Sequence, residues 1–405
     1  MKRYDAYGLF IDKSIDLLRE GGAFGMIVPS TMLNNLTFTN LRKLILEQTT
    51  VTRVVNLGGK VFKGVNNDTL ILLMTKGVEA NQKTEVFDVS MYGGGLGKIQ
   101  RTGVADLSGN SHPPDYSFEL RVTEDADKIL TKMKENTIPL GDICDYFQGL
   151  VTGSNEAYIV DSDQVSSENL ERNICKPVLF GNDVHRYKLP RARYDVIYLT
   201  KNDDLDDYPR IKKRLESFKE ILAKKREVKL GRQPWYSLHW PRERRNFEKD
   251  KKIVVQCIRN LALKRRVVAS LDTHKQYADH TLNVVYLKNE QYELEYVLGI
   301  LNSKLVNYLF QRKYVDINIK GVYLEEIPIK QITPGNKDQI ARAKNLVELV
   351  KKALELGQEE SRSKTPDQKA LVERQFNSID NQIDDLVYDL YNLDESERKT
   401  VNTSV

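Results

Sequence analysis

The chain has 405 residues, 40% of them apolar and 29% charged, with a formal net charge of +5. These values indicate an ordinary globular protein of two or three domains. A membrane protein is excluded because no apolar run approaches the ~20 residues of a membrane helix, and no signal peptide follows Met1. Three widely spaced cysteines and five histidines without ligand spacing predict no metal site and indicate a reducing, cytoplasmic compartment.

The first hundred residues alternate between apolar segments with helical spacing and short apolar runs bounded by Gly or Pro. Helices are predicted at 7–18 and 38–48, and strands are predicted at 23–28, 51–57, 69–75 and 84–90. This alternation predicts an α/β sheet. Because the segment opens with a helix and no strand precedes it, an open parallel sheet built from it would lack its first half.

A polar bridge follows, with a predicted helix from Thr123 to about Glu135, and a second domain opens near Pro139. In that domain an alternating strand leads through a bend at Gly149 and a turn at 152–155 into a strand at 157–160.

The tail carries two heptad seams, one from Ile340 to Leu354 and one from Val372 to Leu390. They predict an antiparallel helical hairpin, and docking of a partner helix is the alternative.

The stretch from Lys224 to Arg266 is strongly basic, with fifteen Lys and Arg against four acids, a net charge of +11. It also holds both tryptophans, Trp235 and Trp240. Clustered cations attract a phosphate backbone, and aromatic rings among them can stack on bases. The alternative is a solvated basic face over a small Trp core.

Three strings carry a resemblance to a known family: LREGGAFGMIVPS at 18–30, VVNLGGKVFKGVNNDTLILLM at 54–74 and LGILNSK at 298–304. The chain resembles adenine-specific DNA methyltransferases of the TaqI/Eco57I type. The resemblance implies an α/β fold with a partial Rossmann-like methyltransferase sheet at 1–100, then a bridging segment at 101–138. It further implies an α+β TaqI-like target-recognition domain at 139–332 and a C-terminal helical hairpin at 333–405.

Two motifs of that family, its S-adenosylmethionine loop and its Asn-Pro-Pro-Tyr tetrapeptide, are not found in the chain. The segments 93–97 and 112–116 are read as loops and not as replacements. We therefore expect no cofactor to bind to this chain alone and S-adenosylmethionine to serve the complete enzyme. The resemblance implies that Phe62 stacks on an extruded adenine and that Phe10 lies near the cofactor; ordinary core packing is the alternative for both.

Candidate DNA contacts follow from hydrogen-bonding loop residues and clustered cations. The first group, on the loop of the first hairpin, consists of Gln148, Thr152, Ser154 and Asn155; plain turn formation is the alternative. The second group would hold phosphates without reading sequence and consists of Arg191, Arg193, Arg226, Lys229, Arg232, Arg242, Arg244 and Arg245. Trp235 is expected to belong to the fold.

These features predict the sequence-specific DNA-recognition part of an adenine-specific methyltransferase or type IIG restriction–modification enzyme. Its partners would be double-stranded DNA and a polypeptide that supplies the cofactor loop and the tetrapeptide. The first alternative is a non-catalytic specificity subunit like those of type I restriction systems. A fragment of a longer gene and a general nucleic-acid binder are two further alternatives.

Overall fold

The computed structural model divides the chain into two units, Met1–Lys132 with Leu309–Asp316 and Met133–Tyr308 with Ile317–Val405. The structure describes residues 5–58, 61–62, 68–79, 82–92, 95–107, 116–118, 120, 124–260, 263–314, 318–363 and 365–405.

The first part of the chain alternates helix and strand, as predicted. Its elements are α1 (Ala6–Leu17), β1 (Ala23–Pro29), α2 (Thr39–Gln48), β2 (Thr49–Gly58), β3 (Thr69–Lys76), β4 (Thr84–Tyr92), β5 (Gly95–Ala105) and α3 (Glu124–Lys134), with 3-10 turns at Ser30–Leu33 and Leu36–Phe38. The bridging segment was expected to begin at residue 101, but that residue lies inside β5. The helix predicted in the bridging segment corresponds to α3.

The sheet of the first unit has the order β1-β3-β2-β4-β5. It is mixed, and the expectation of a parallel sheet is wrong: only β2 and β4 pair in parallel, and the other neighbours are antiparallel. Strand β3 lies between β1 and β2 and runs antiparallel to both, and β5 folds back on β4 as a hairpin, which needs no crossover connection. The register of β4 and β5 pairs Tyr92 with Gly95, as a hairpin requires.

One face of this sheet is covered by α1 and α2, which bury Ile11, Ile15 and Ile45. Arg42 on α2 is completely buried and donates to the carbonyl oxygens of Met32 at 2.8 Å and Asn35 at 2.9 Å. A guanidinium fixed by carbonyls ties the loop after β1 to α2, because its donors would otherwise be buried unpaired.

The second unit contains many short strands between longer helices. In chain order its longer elements are β6 (Thr137–Pro139), β7 (Cys144–Gln148), β8 (Ile159–Asp161), β9 (Cys175–Leu179), β10 (Tyr194–Ile197), α4 (Pro209–Glu216), β11 (Lys252–Gln256), β12 (Ala269–Asp272), β13 (Tyr277–Ala278), β14 (Leu282–Leu287), α5 (Leu294–Asn302), α6 (Lys304–Lys313, which crosses the unit boundary), β15 (Pro328–Lys330), α7 (Lys337–Arg362), α8 (Pro366–Leu390) and α9 (Glu395–Ser404). Short helical turns lie at Leu140–Ile143, Asn155–Tyr158, Ser162–Ser167, Gly181–Asp183, Leu205–Asp207, Lys219–Leu222, Arg226–Lys229, Arg244–Phe247 and Gly321–Glu325.

The strands of the second unit form two four-stranded sheets, β13-β9-β10-β8 and β12-β11-β14-β7, and a small pair, β15-β6. The segregated sheets and helices agree with the predicted α+β class. The strand predicted at 157–160 is wrong in its first half, because Asn155–Tyr158 forms a helical turn and the strand starts at Ile159. Ala157 and Tyr158 are nevertheless buried, which is why the segment has the composition of a strand.

Asn302, at the end of α5, closes the open edge of β12. Its side-chain amide accepts from the N–H of Ala269 at 3.0 Å and donates to the carbonyl of Ala269 at 3.0 Å. A Cβ on Gly299, one turn earlier, would lie 2.9 Å from Val350 Cγ2 on α7, so only glycine allows α5 to pack this closely. The LGILNSK string at 298–304 therefore serves as a scaffold.

The tail forms the predicted hairpin: α7 and α8 are joined by residues 363–365 and pack on each other. The buried positions extend beyond the predicted seams, since α7 also packs on α5. A third helix, α9, follows and was not predicted. Within the described ranges, no helix is long and apolar enough to cross a membrane.

We expect Asn302→Ala to lower the free energy of unfolding by about 1–3 kcal/mol, because the buried N–H of Ala269 would lose its partner. Urea unfolding monitored by circular dichroism measures the change. Asn202→Ala is the matched control, since Asn202 is exposed and contributes only its backbone N–H to a hydrogen bond. Equal stability of the two variants would contradict the assigned role of Asn302.

Candidate nucleic-acid interface

The predicted loop after β7 crosses over the segment between β13 and β14 at Gly149. A Cβ at this position would lie 2.1 Å from the carbonyl oxygen of Asp279 and 2.3 Å from that of Ala278. The crossing is fixed by the N–H groups of Gly149 and Leu150, which donate to carbonyls of that segment at 2.9 Å each. Only glycine fits between these backbones, so the bend predicted at Gly149 has a steric cause.

Beyond the crossing, the loop pairs with the segment that contains the second tryptophan. Val151 and Trp240 exchange two backbone hydrogen bonds of 2.9 Å, and the N–H of His239 donates to the carbonyl of Thr152 at 3.2 Å. We call residues 148–155 and 239–242 together the ribbon. The hydrogen bonds hold two distant loops of the chain in a fixed register.

Arg242 closes the base of the ribbon. Its Nε donates to the carbonyl oxygen of Gln148 at 2.9 Å, and its guanidinium carbon lies 5.9 Å from the centre of the Trp240 ring. The backbone of Arg242 has φ +62°, an uncommon conformation for a residue other than glycine. Strain of this kind persists where neighbouring contacts impose it.

Lys225 supports the ribbon from a third loop. A Cβ on Gly153 would lie 2.9 Å from Lys225 Cδ and 3.2 Å from His239 Cβ, so the three residues are packed together. The ammonium of Lys225 donates to the hydroxyl of Tyr158 at 3.2 Å and to the carbonyl oxygen of Ser237. Desolvation by burial lowers the pKa of Lys225 to about 8.

The four predicted loop residues are all on the ribbon, but they are not equivalent. Gln148 and Asn155 are exposed and Ser154 is half-buried. Thr152 is buried and its hydroxyl donates to Asn155 Oδ1 at 2.6 Å, as a turn-forming residue does. The Gln148 side-chain nitrogen donates to the carbonyl oxygen of His280 at 2.7 Å.

The predicted phosphate-holding cations are all exposed, yet their partners differ. Arg226 and Lys229 lie on one helical turn and have no ion-pair partner among the residues described. Three others have nearby carboxylates or aromatic rings: Arg232 pairs with Glu227 at 3.2 Å, Arg245 pairs with Glu243 at 2.6 Å, and Arg244 lies 5.3 Å from the centre of the Tyr198 ring.

Arg191 and Arg193 are exposed at a different place in the fold, at the entry to β10. Arg193 pairs with Asp161 at 3.3 Å and lies over the ring of Tyr194. No hydrogen bond or ion pair of the described chain joins either arginine to the ribbon.

The second half of the basic stretch is structural. Lys252 and Asp272 form a completely buried ion pair with an N–O distance of 2.5 Å. Arg265 pairs with Asp380 at 3.4 Å and Asp384 at 3.3 Å on α8, and Arg266 is buried. The net charge of +11 is therefore not one continuous face, because buried cations are matched within the fold.

The two tryptophans have opposite surroundings. Trp235 packs against the hydrophobic core of the second unit beside Tyr236, with ring centres 5.9 Å apart, as expected of a residue that belongs to the fold. Trp240 is 52% exposed on the ribbon. The sequence analysis gave both tryptophans as rings that could stack on bases, and only the structure shows that Trp240 is the exposed one.

Phe10 and Phe62, in the first unit, are not core residues, so the packing alternative is wrong for both. Phe10 is 64% exposed and Phe62 is 48% exposed. Phe62 follows β2, whose last residue is Gly58. The segment 112–116 lies largely outside the described residues, as do residues 93–94. No cluster of His, Cys, Asp or Glu suited to a metal occurs in the part of the chain that the structure describes.

Two segments of the chain match known protein families. Residues 176–329 match the TaqI-like C-terminal specificity domain, and residues 1–62 match the Eco57I restriction-modification methylase. The chain is similar to type II restriction–modification methyltransferases and has a TaqI-like specificity domain. The resemblance drawn from the sequence strings is thus confirmed.

Individual relatives agree with this assignment. The type II restriction enzyme and methyltransferase RM.Eco57I of Escherichia coli is 23% identical over 97% of this chain and 43% of its own length. The type II methyltransferase M.HindII of Haemophilus influenzae is 24% identical over 86% of this chain and 72% of its own length. The chain spans less than half of the first relative and about seven tenths of the second.

Among solved structures, the type IIL restriction-modification enzyme MmeI in complex with DNA has a similar fold. Its TM-score is 0.64 at 10% identity, over 99% of this chain and 52% of MmeI. The similarity at this level of identity establishes the fold alone.

The lowered pKa of Lys225 makes the stability of the ribbon depend on pH. Between about pH 8 and its ordinary pKa of 10.5 the folded state binds fewer protons at Lys225 than the unfolded state does. The free energy of unfolding therefore rises with pH across that window and loses this contribution as pH falls through about 8.

We expect wild-type stability to increase relative to Lys225→Met between pH 8 and pH 10, since methionine has no proton to release. Urea unfolding at four pH values in this range gives the difference. Lys224→Met, at an exposed neighbour, is the control and should show no trend. A constant difference between wild type and Lys225→Met would mean that Lys225 is not desolvated.

Proposed function

We propose that this chain is the sequence-specific DNA-recognition part of an adenine-specific DNA methyltransferase or a type IIG restriction–modification enzyme. The match to a TaqI-like specificity domain supports this assignment. The observation that carries it is the ribbon, which holds the exposed side chains of Gln148, Asn155 and Arg242 on one scaffold and packs against Lys225 of the basic stretch. MmeI, which has a similar fold, was solved in complex with DNA. This similarity supports duplex DNA as the partner proposed here.

Within the ribbon, Gln148 and Asn155 have the chemistry to read bases. A carboxamide can pair with adenine through one donor and one acceptor, and both side chains are exposed on a loop fixed by backbone hydrogen bonds. Ser154 adds a hydroxyl beside them. Thr152 acts indirectly, since its buried hydroxyl orients Asn155.

Phosphates would be held by the exposed cations around the ribbon. Arg226 and Lys229 are the strongest candidates because no described carboxylate competes for them. Arg232, Arg244 and Arg245 would exchange a surface partner for a phosphate, which costs little since such pairs contribute only about 0–1 kcal/mol. Arg242 is already committed to the carbonyl of Gln148, so its contribution to DNA is mainly through positioning. Arg191 and Arg193 would extend the phosphate contacts along the duplex.

The first unit is proposed to be the end of a Rossmann-like methyltransferase sheet that a preceding segment or partner polypeptide continues. β1 is an edge strand, and the apolar side chains of Phe10, Leu17 and Ile27 are 64%, 75% and 44% exposed near it. Phe10 and Leu17 lie on one face of α1, two helical turns apart. An added strand beside β1 would pair its free backbone groups and cover these side chains.

In the assembled enzyme, S-adenosylmethionine supplies the methyl group. The residues of this chain fit the donor only in part: Phe10 offers an exposed ring, and the described residues contain no glycine-rich turn before a helix N-terminus that could hold it. Phe62 offers a π-face to an adenine taken out of the duplex, so that the base keeps a stacking partner. The polar groups that orient the adenine amino group come from the supplied part.

The phosphate role of Arg226 and Lys229 predicts a change in salt dependence. The double substitution Arg226→Gln, Lys229→Gln should weaken binding to duplex DNA. It should also reduce the slope of log K against log salt by about 1.8, because each phosphate contact contributes about 0.9. Fluorescence anisotropy of a labelled duplex, titrated from about 50 to about 300 mM salt, measures both the affinity and the slope.

The matched control is Lys344→Gln, Lys352→Gln, which removes the same charge from exposed positions on α7. It should leave the slope unchanged. If both double variants change the slope equally, only net charge matters and Arg226 and Lys229 are not specific phosphate contacts. A wild-type chain that does not bind duplex DNA at low salt would overturn the proposed function.

The need for a supplied methyltransferase part is tested by co-expression with the upstream reading frame and measurement of labelled methyl transfer to plasmid DNA. We expect transfer by the pair and none by this chain alone. Leu17→Glu should abolish transfer, because burying an unpaired carboxylate in the contact is strongly unfavourable. Leu371→Glu, at an exposed leucine on α8, is the control and should keep transfer. DNA binding without transfer in the pair would favour the non-catalytic specificity subunit.

A further inference from the structure

The ribbon exposes one large aromatic ring for which the fold gives no packing reason. Trp240 is 52% exposed, whereas the other tryptophan packs against the recognition core. Tryptophan is among the most favourable residues to bury. A half-exposed indole on a rigid ribbon, with the Arg242 guanidinium beside its ring, is well placed to contact a ligand.

The position of the Trp240 ring is fixed before any ligand binds. Its backbone is paired with Val151 through two hydrogen bonds of 2.9 Å. His239 lies against the indole, with ring centres 4.7 Å apart and a 30° angle between the planes. Arg242 approaches the same ring at 5.9 Å and is itself held by the carbonyl of Gln148. A ring immobilised in this way loses little conformational entropy on binding.

The groups around Trp240 suit a nucleobase. Arg242 connects the indole to Gln148, whose exposed carboxamide can hydrogen-bond a base edge. Arg244, two residues beyond Arg242, is exposed and adds positive charge for a phosphate. Stacking on an aromatic ring compensates a base for the neighbour that it loses when a duplex is opened or kinked.

We infer that Trp240 stacks on a nucleobase of the bound duplex and that Arg242 is the positioning residue that links this stacking contact to Gln148. The inference rests on the proposed function. It adds a base contact through the π-face of one ring, at a position outside the predicted reading loop. Because the contact is made by an indole that wedges against a base step, it favours target sequences whose steps unstack readily.

The test uses the full chain and a duplex enriched from a random-sequence pool by the immobilised protein. In Trp235→Phe, Trp240 is the sole tryptophan, so its emission reports its surroundings directly. We expect DNA to quench this emission and to protect it from acrylamide, because a base covers the ring. Trp240→Phe retains only Trp235 and is the matched control, whose emission should change little.

Affinity is measured independently by anisotropy of the labelled duplex. Trp240→Ala should bind about 5- to 100-fold more weakly, the range expected for loss of one base–aromatic stack. Trp240→Phe should keep most of the affinity, since it retains a flat ring. Circular dichroism melting should show equal stability for the wild type and both Trp240 variants, which separates a contact from a folding defect.

The possible failures are distinguishable. If DNA saturates the protein while Trp240 emission and the affinity of Trp240→Ala stay unchanged, the stacking inference is wrong and the proposed function stands. If no duplex binds to the wild type, the proposed function fails and the inference fails with it. If Trp240→Ala loses a co-purifying polypeptide but binds DNA normally, the ring is a protein contact and the inference is also overturned.

Discussion

The close crossing of two backbones at Gly149 is the constraint on which the candidate interface depends. A side chain there would overlap the carbonyl oxygens of Ala278 and Asp279. With the crossing in place, the chain leaves β7 at an angle that allows Val151 to pair with Trp240 and lets Arg242 reach the carbonyl of Gln148. Loops on rigid strands are the usual carriers of recognition, and here the rigidity continues into the loop itself.

The cations of the basic stretch, residues 224–266, have two different roles: some stabilise the fold and others are available to bind a ligand. Cations near its end are buried against carboxylates, as in the pair Lys252–Asp272, and these serve the fold. Cations nearer its start, such as Arg226 and Lys229, are exposed on a helical turn and free of described carboxylates. A buried cation without a partner would be prohibitively unfavourable, whereas an exposed one is available to a polyanion. The same residue type therefore has opposite roles a few dozen residues apart.

The first unit presents a different situation, because its exposed groups are apolar. Phe10 and Leu17 on α1 and Ile27 on the edge strand β1 are all exposed. Edges of this kind are normally protected by charge, proline or a covering element. Under the proposed function, an added strand from a methyltransferase part would pair with β1 and cover these side chains.

The sequence alone determined the α/β start, the TaqI-like specificity domain, the hairpin and the family resemblance, because these depend on local periodicity and on strings such as LREGGAFGMIVPS. The tertiary structure decided the strand directions, the helical turn at Asn155–Tyr158 and the burial of Thr152. It also decided which tryptophan is exposed and which arginines are already paired. Such properties arise from contacts between segments far apart in the chain, for example Val151 with Trp240, and no local pattern encodes them.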